Sequence, residues 1–276
     1  MRTMSAQAQH PYHMVSPSPW PALGALSGLV LAVGAVFYMH DEPLFGISGP
    51  IKLVPGFTLL ILTMILWWRD VIKESVKERA HSNEVSHGLR LGMVLFIASE
   101  VMFFGAFFWA FFHHSLGFST ATMQWPPEGI ETLDAWHLPF YNTVILLTSG
   151  VTVSRAHLYV EAGNDAKSAK WIWITAALGA MFLGLQVFEY GHAAFSITDG
   201  IYPSTFYLAT GFHGFHVFVG TTFLVVCAVR AQKGQFSPEK HIGFQSAAWY
   251  WHFVDVVWLF LFIWVYWLLG TPVRTF

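Results

Sequence analysis

Long apolar runs separated by short polar ones dominate the chain. A hydrocarbon core about 30 Å thick takes about 20 residues of helix to cross, and seven stretches meet that test. They are Trp20–Met39, Gly49–Trp68, Leu91–Phe112, Leu138–Ser154, Trp171–Phe195, Tyr202–Val229 and Ile242–Gly270. The second needs Lys52 to snorkel out to the interface. The fourth is at the short limit and stops at Arg155. Backbone polar groups in lipid must be satisfied within their own segment, so each run is predicted as a helix. The pattern therefore predicts an all-α polytopic membrane protein with seven transmembrane helices.

Charge orients the helices. If the chain weaves seven times, the N-terminus and the second, fourth and sixth connections share one side. They hold Arg2; Arg69, Lys73, Lys77, Arg79 and Arg90; Arg155, Lys167 and Lys170; and Arg230, Lys233 and Lys240. That is twelve of the 14 basic residues, with Lys52 and Arg274 on the other side. Basic residues favour the cytoplasmic or matrix side, which places the N-terminus inside and the C-terminus outside. Trp67 and Trp68 at one face and Trp125 and Trp136 at the other read first as interface anchors. Met1 to Gln9 lacks the apolar core of a signal peptide, so the first helix is expected to act as the insertion signal.

Composition agrees. Of 276 residues, 55% are hydrophobic and 11% charged, too little charge to cover a soluble surface. A net charge of -2 gives no field for nucleic acid. Cys227, the sole cysteine, excludes an internal disulfide and a multi-thiolate metal centre.

Ionisable groups at membrane depth cost about 2.5–3.5 kcal/mol each and so need a reason. Glu100 lies in Ser99-Glu100-Val101-Met102-Phe103-Phe104, ahead of a stretch in which Phe103, Phe104, Phe107, Phe108, Phe111 and Phe112 are all Phe. It reads either as a reactive, proton-handling carboxyl or as a protonated acid bonded to a neighbouring helix or to lipid. His213 and His216 are three residues apart, on one side of a helix; Gly211 and Gly214 fall opposite, where another helix is expected to approach closely. His252 and Asp255 repeat the spacing on the seventh helix. Those four side chains are potential metal or haem ligands, but they fall short of the carboxylate-rich donor sets of bundle metal sites. Interhelical hydrogen bonding is the plainer account. Glu189 lies one turn from the outer end of the fifth helix, solvated or hydrogen-bonded. The inner-side histidines His10, His13, His81, His87 and His241 form a looser group that reads first as ordinary surface histidines and second as proton-collecting or buffering ones. A membrane metalloenzyme and a transporter remain alternatives to a non-catalytic subunit; a transporter would want paired broken helices.

Several longer motifs narrow this. They are Tyr12-His13-Met14-Val15 with Pro17-Ser18-Pro19-Trp20-Pro21, Trp67-Trp68-Arg69-Asp70-Val71-Ile72, the Glu100 motif, Trp125-Pro126-Pro127, Ala209–His216 and Ala248–Phe260. With them the chain closely resembles subunit III of the haem-copper cytochrome c oxidases, from about Tyr12 to Gly270. The resemblance implies an N-terminal part, residues 1–80, holding two helices, and a five-helix bundle, residues 81–276, as two-plus-five bundles around a lipid-filled cleft. It implies a non-catalytic core subunit of a proton-pumping, oxygen-reducing oxidase, without haem, copper or another metal of its own. The redox centres would lie in partner subunits I and II. It implies packing chiefly against subunit I, protection of the oxidase during turnover and support of proton uptake from the inner side. Glu100 matches the family's carbodiimide-reactive carboxyl. Trp68, Lys73, Glu74, His81, Arg230 and Lys233 match its phospholipid contacts, while Glu189, His213, His216, His252 and Asp255 remain structural polar groups. The membrane would be a bacterial plasma membrane or a mitochondrial inner membrane. Family patterns differ here at Ser154-Arg155-Ala156-His157-Leu158, Ala80-His81 and Gln245.

Overall fold

The computed structural model describes residues 17–78, 81–117 and 124–270. Arg2, His10, His13, the Tyr12–Val15 motif, Arg79, Ala80 and Arg274 lie outside them. Among the described residues are seven long α-helices and no strand beyond a single bridge between Leu44 and Ile47. The helices are α1 (Trp20–Met39), α2 (Val54–Lys73), α3 (Asn83–Ser115), α4 (Leu138–Glu161), α5 (Asp165–His192), α6 (Ile201–Gln232) and α7 (Ile242–Leu261). A 3-10 turn, Gly49–Leu53, leads into α2, and π-helical turns, Glu74–Glu78 and Phe262–Leu268, prolong α2 and α7. The chain divides into two compact units, Met1–Gly88 and Leu89–Phe276.

Most helices outrun the predicted spans because capped polar turns extend them. Asn164 caps α5 by accepting a hydrogen bond from the Lys167 backbone N–H, with Asp165 in the first turn, where a negative charge suits the helix dipole. Just before it, Gly163 (φ +67°) closes α4, with the Asn164 N–H on the Tyr159 carbonyl at 2.9 Å. This is the left-handed C-terminal turn that glycine permits.

Six of the seven helices are long and apolar enough to cross a membrane; α4 is the exception. At 24 residues its length is about 36 Å, sufficient for a bilayer. Composition separates it: Asn142, Thr143, Ser149 and Thr152 lower its hydropathy, yet all four are buried. Thr143, Ser149 and Thr152 each donate to a carbonyl of their own helix, and Thr152 also meets Thr175 of α5 at 2.8 Å.

In the first unit, small residues let α1 and α2 touch. A Cβ on Gly34 would stand 2.5 Å from the Lys52 carbonyl oxygen, and one on Gly56 would stand 2.5 Å from the Leu31 Cα. Ser27 and Thr63 meet across the same seam at 3.3 Å. Lys52 does not snorkel outward. It is 3% exposed, and its ammonium donates to the carbonyls of Glu42 (2.6 Å) and Phe37 (3.1 Å). The Phe37 carbonyl also takes the Glu42 N–H, so Lys52 adds a second donor there, where the partial negative charge of a helix C-terminus draws a cation inward.

The second unit is organised around indoles of α7. Trp251 and Trp258 are fully buried. Trp251 Nε1 donates to Ser149 Oγ at 2.8 Å and Trp258 Nε1 to Thr143 Oγ1 at 2.9 Å, so both tie α7 to α4. A Cβ on Gly179 of α5 would stand 2.5 Å from the Trp251 ring, and one on Gly220 of α6 would stand 2.9 Å from it. Gly179→Leu is therefore expected to overpack this site and destabilise the bundle by about 1–3 kcal/mol. Thermal unfolding of the purified protein checks this; an unchanged midpoint would show the contact to be slack. Within this chain no helix closes on Gly211 or Gly214: a Cβ on either would have no described atom within 4 Å.

Candidate functional site

Helix α3 packs on α6 and α7 through its phenylalanines. Phe103 and Phe107 meet Phe212 of α6 at ring distances of 5.1 and 4.8 Å. Phe104, Phe108 and Phe112 meet Phe253, Phe260 and Trp264 of α7 and its extension. Residues at i, i+4 and i+8 share a face, so the Phe-rich stretch is two adjacent rows along one side of the helix.

Glu100 stands one turn before those rows. Its Oε2 lies 2.9 Å from His216 Nε2, with the glutamate side chain 20% exposed and the histidine 8%. His216 Nδ1 contacts the Phe212 carbonyl at 2.6 Å. A carbonyl only accepts, so Nδ1 carries a proton. Nε2 then either accepts from a protonated carboxyl or donates to a carboxylate. Either way the contact holds one shared proton, walled by the Phe104 ring at 4.9 Å and the Tyr250 ring at 6.3 Å.

The remaining intramembrane groups go elsewhere. His213 is fully buried, with Nε2 3.2 Å from the Val254 carbonyl; its ring lies between Phe182 and Trp258. His252 meets Asp255 at 3.4 Å and Ser154 at 3.1 Å. A Cβ on Gly150 would collide with the Asp255 carboxylate, so that glycine makes room for it. Glu189 is 4% exposed rather than solvated. Its Oε2 accepts from Gln186 (2.7 Å) and from the Tyr266 hydroxyl (2.8 Å), and Asn142 extends the network by donating to Gln186 at 3.4 Å. His192 has a Glu-x-x-His spacing with Glu189 but is exposed, its Nδ1 on the Phe188 carbonyl. His213, His216 and the His252–Asp255 pair thus engage separate partners and do not converge on one point. Among the described residues, the convergent group of three metal-ligand types is His157, Glu161 and His241 instead.

Of the residues matched to phospholipid contacts, Trp68, Lys73, Glu74 and His81 belong to the first unit and Arg230 and Lys233 to the second. Trp68 is 61% exposed. Lys73 pairs with Glu78 at 3.6 Å. Arg230 lies 4.6 Å over the Phe236 ring and donates to Gln235 at 3.4 Å. Trp125, expected as an anchor, is built into the second unit: Nε1 donates to the Leu269 carbonyl at 3.0 Å and the ring packs on Phe111 and Tyr202.

Sequence reasoning missed the partners rather than the charged groups. Gln186, Tyr266, Ser149 and Thr143 carry no charge and sit in apolar runs. The i, i+4 spacing of His157 and Glu161 was a usable signal.

Long apolar helices with buried polar pairs between them define an integral, polytopic membrane protein of the helical-bundle class. The sequence profile of cytochrome c oxidase subunit III matches residues 10–269. The chain is 52% identical over 265 residues to cytochrome c oxidase subunit 3 of Marchantia polymorpha, covering 96% of this chain and 98% of that one. It is 51% identical to that of Arabidopsis thaliana over the same shares, and 49% identical to that of Paracentrotus lividus over 94% and 97%. The chain belongs to the cytochrome c oxidase subunit III family and is thereby a subunit of a respiratory oxidase.

Proposed function

We propose that this chain is a non-catalytic core subunit of a proton-pumping cytochrome c oxidase: it binds phospholipids, steadies subunit I and supports proton uptake from the inner side. In this reading seven helices cross the membrane with the N-terminus inside, α4 sheltered by its neighbours, in the family's two-plus-five plan around a lipid-filled cleft. Haem and copper belong to subunits I and II. The observation that carries the reading is the engagement of each candidate ligand by a structural partner: His213 by a carbonyl, His216 by Glu100, His252 by Asp255, Glu189 by Gln186 and Tyr266. Of these contacts, those from His213 to Val254, His216 to Glu100 and Tyr266 to Glu189 join different helices, and His252 also meets Ser154 of α4, so the side chains hold helices together.

The lipid part rests on placement. Lys73, Arg230 and Lys233 fall near the basic ends of their helices, where anionic headgroups are attracted. Trp68 offers an exposed amphipathic ring at that level. An oxidase purified without this chain is expected to reduce oxygen at a near-normal initial rate and then lose activity during turnover. Oxygen-electrode traces with and without the chain check this. Immediate, complete loss of electron transfer on removal would overturn it.

A further inference from the structure

We propose that His157, Glu161 and His241 form a zinc-type divalent cation site that clamps the end of α4 to the segment entering α7. The ligand atoms lie within 4.8 Å of one another. His157 Nε2 is 3.3 Å from His241 Nε2 and 3.9 Å from Glu161 Oε1. Two imidazole nitrogens bound to one tetrahedral zinc, at about 2.0–2.1 Å each, stand about 3.3–3.4 Å apart. The histidines are already at that separation. The carboxylate is farther out than that geometry needs, by about half an ångström from His157 and with its distance to His241 bounded only at 4.8 Å, so Glu161, 55% exposed, has to swing inward to complete the site.

Three features prepare the site. His241 Nδ1 lies 2.9 Å from the Ser237 carbonyl, which fixes the proton on Nδ1 and turns the Nε2 lone pair toward His157. Metal-bound histidines are commonly oriented through the far ring nitrogen in this way. The Ser237–Lys240 turn that supplies the carbonyl is closed by hydrogen bonds in both directions, Ser237 N–H to Lys240 O and Lys240 N–H to Ser237 O. The His157 ring is braced edge-on against Phe244 at 5.7 Å. His157 and Glu161 sit one turn apart on α4, so a single helix supplies two ligands and the α7 entry the third. Two imidazoles and one carboxylate suit zinc and its borderline neighbours rather than calcium or magnesium, which prefer all-oxygen sets. The fourth position is left to water.

Zinc carries no electron, so the clamp adds nothing to redox chemistry and stands or falls independently of the functional reading above. The competing account is a plain imidazole–imidazole hydrogen bond, in which His157 donates from Nε2 and no ion is held.

The intact oxidase containing this chain, stripped with a chelator and equilibrated with zinc chloride, decides between them. Zinc retained after gel filtration is counted by atomic emission. The wild-type complex is expected to hold one zinc more than the His241→Ala complex, with a zinc-edge anomalous peak bonded to both Nε2 atoms. Glu161→Gln, at an exposed position, keeps the test sound if His241→Ala misfolds. It should raise the zinc concentration for half-occupancy at least about tenfold, since even outer-shell partners are worth about 10–100-fold. Equal zinc in wild type and variants, or an anomalous peak elsewhere, would overturn the proposal and leave the hydrogen bond.

Discussion

Trp251→Ala is expected to destabilise the five-helix unit by about 3–5 kcal/mol, a large part of the roughly 5–15 kcal/mol that holds an ordinary fold together. The indole is fully buried where Gly179 of α5, Gly220 of α6 and Ser149 of α4 converge. Between membrane helices there is little hydrophobic driving force, because lipid tails are as apolar as leucine; close packing and hydrogen bonds carry the association. Removing the ring deletes both. It leaves a cavity bordered by two glycines that have no side chain with which to fill it, and it leaves Ser149 without the donor that reaches it from α7. Trp251→Phe keeps an aromatic ring but loses the indole N–H bond, worth about 0.6 kcal/mol on average between membrane helices, and part of the outer ring that packs on Gly179 and Gly220. The oxidase carrying Trp251→Ala should therefore unfold at a clearly lower temperature and retain less of this chain through purification, with Trp251→Phe in between. Wild-type retention and midpoint in Trp251→Ala would mean that the helices are held by something other than this wedge.

The same packing explains what the sequence discloses and what it hides. Helix α1 runs over Trp20–Met39, as its uninterrupted apolar run predicts, because its bounds depend on local composition. Burial of Lys52 was not legible, since it depends on where the end of α1 leaves its carbonyls, a contact between segments. The histidines of α6 mark the limit of periodicity. Three residues place His213 and His216 about 60° apart on the helix, near enough to suggest a shared partner. Yet about 60° is enough for one ring to face α7 and the other α3. The glycines show a related limit: within this chain close approach falls at Gly150, opposite Asp255, and at Gly179 and Gly220, opposite Trp251, rather than at the Gly211 and Gly214 spacing. Spacing places a residue on a face; which neighbour that face meets is settled by the other helices.

Glu100→Gln is expected to abolish labelling of this chain by an apolar carbodiimide while leaving oxygen reduction by the complex largely intact. The reagent takes up a carboxylic acid: the acid proton goes to a carbodiimide nitrogen, the carboxyl oxygen bonds to the central carbon, and an oxygen-to-nitrogen acyl shift gives a stable acylurea where water is scarce. The site must therefore be a carboxyl that holds a proton and that a lipid-dissolved reagent can reach. Glu100 suits both demands: the proton in its 2.9 Å contact with His216 is a single transfer away from the carboxyl where it does not already sit on it, and 20% of its side chain is exposed on an apolar helix. Glu189 is enclosed at 4% exposure by Gln186 and Tyr266 and fails the second demand. Glutamine keeps the shape of Glu100 and a group able to hydrogen-bond His216, so the fold survives while the reactive acid is gone. His216→Phe provides the converse. It removes the partner and leaves an acid among aromatic rings, so labelling should persist there. Mass spectrometry of peptides from the labelled chain reads all three proteins. Adduct found elsewhere in this chain in the Glu100→Gln protein would show that another carboxyl holds the reactive proton, and the Glu100–His216 pair would then be a helix contact and nothing more.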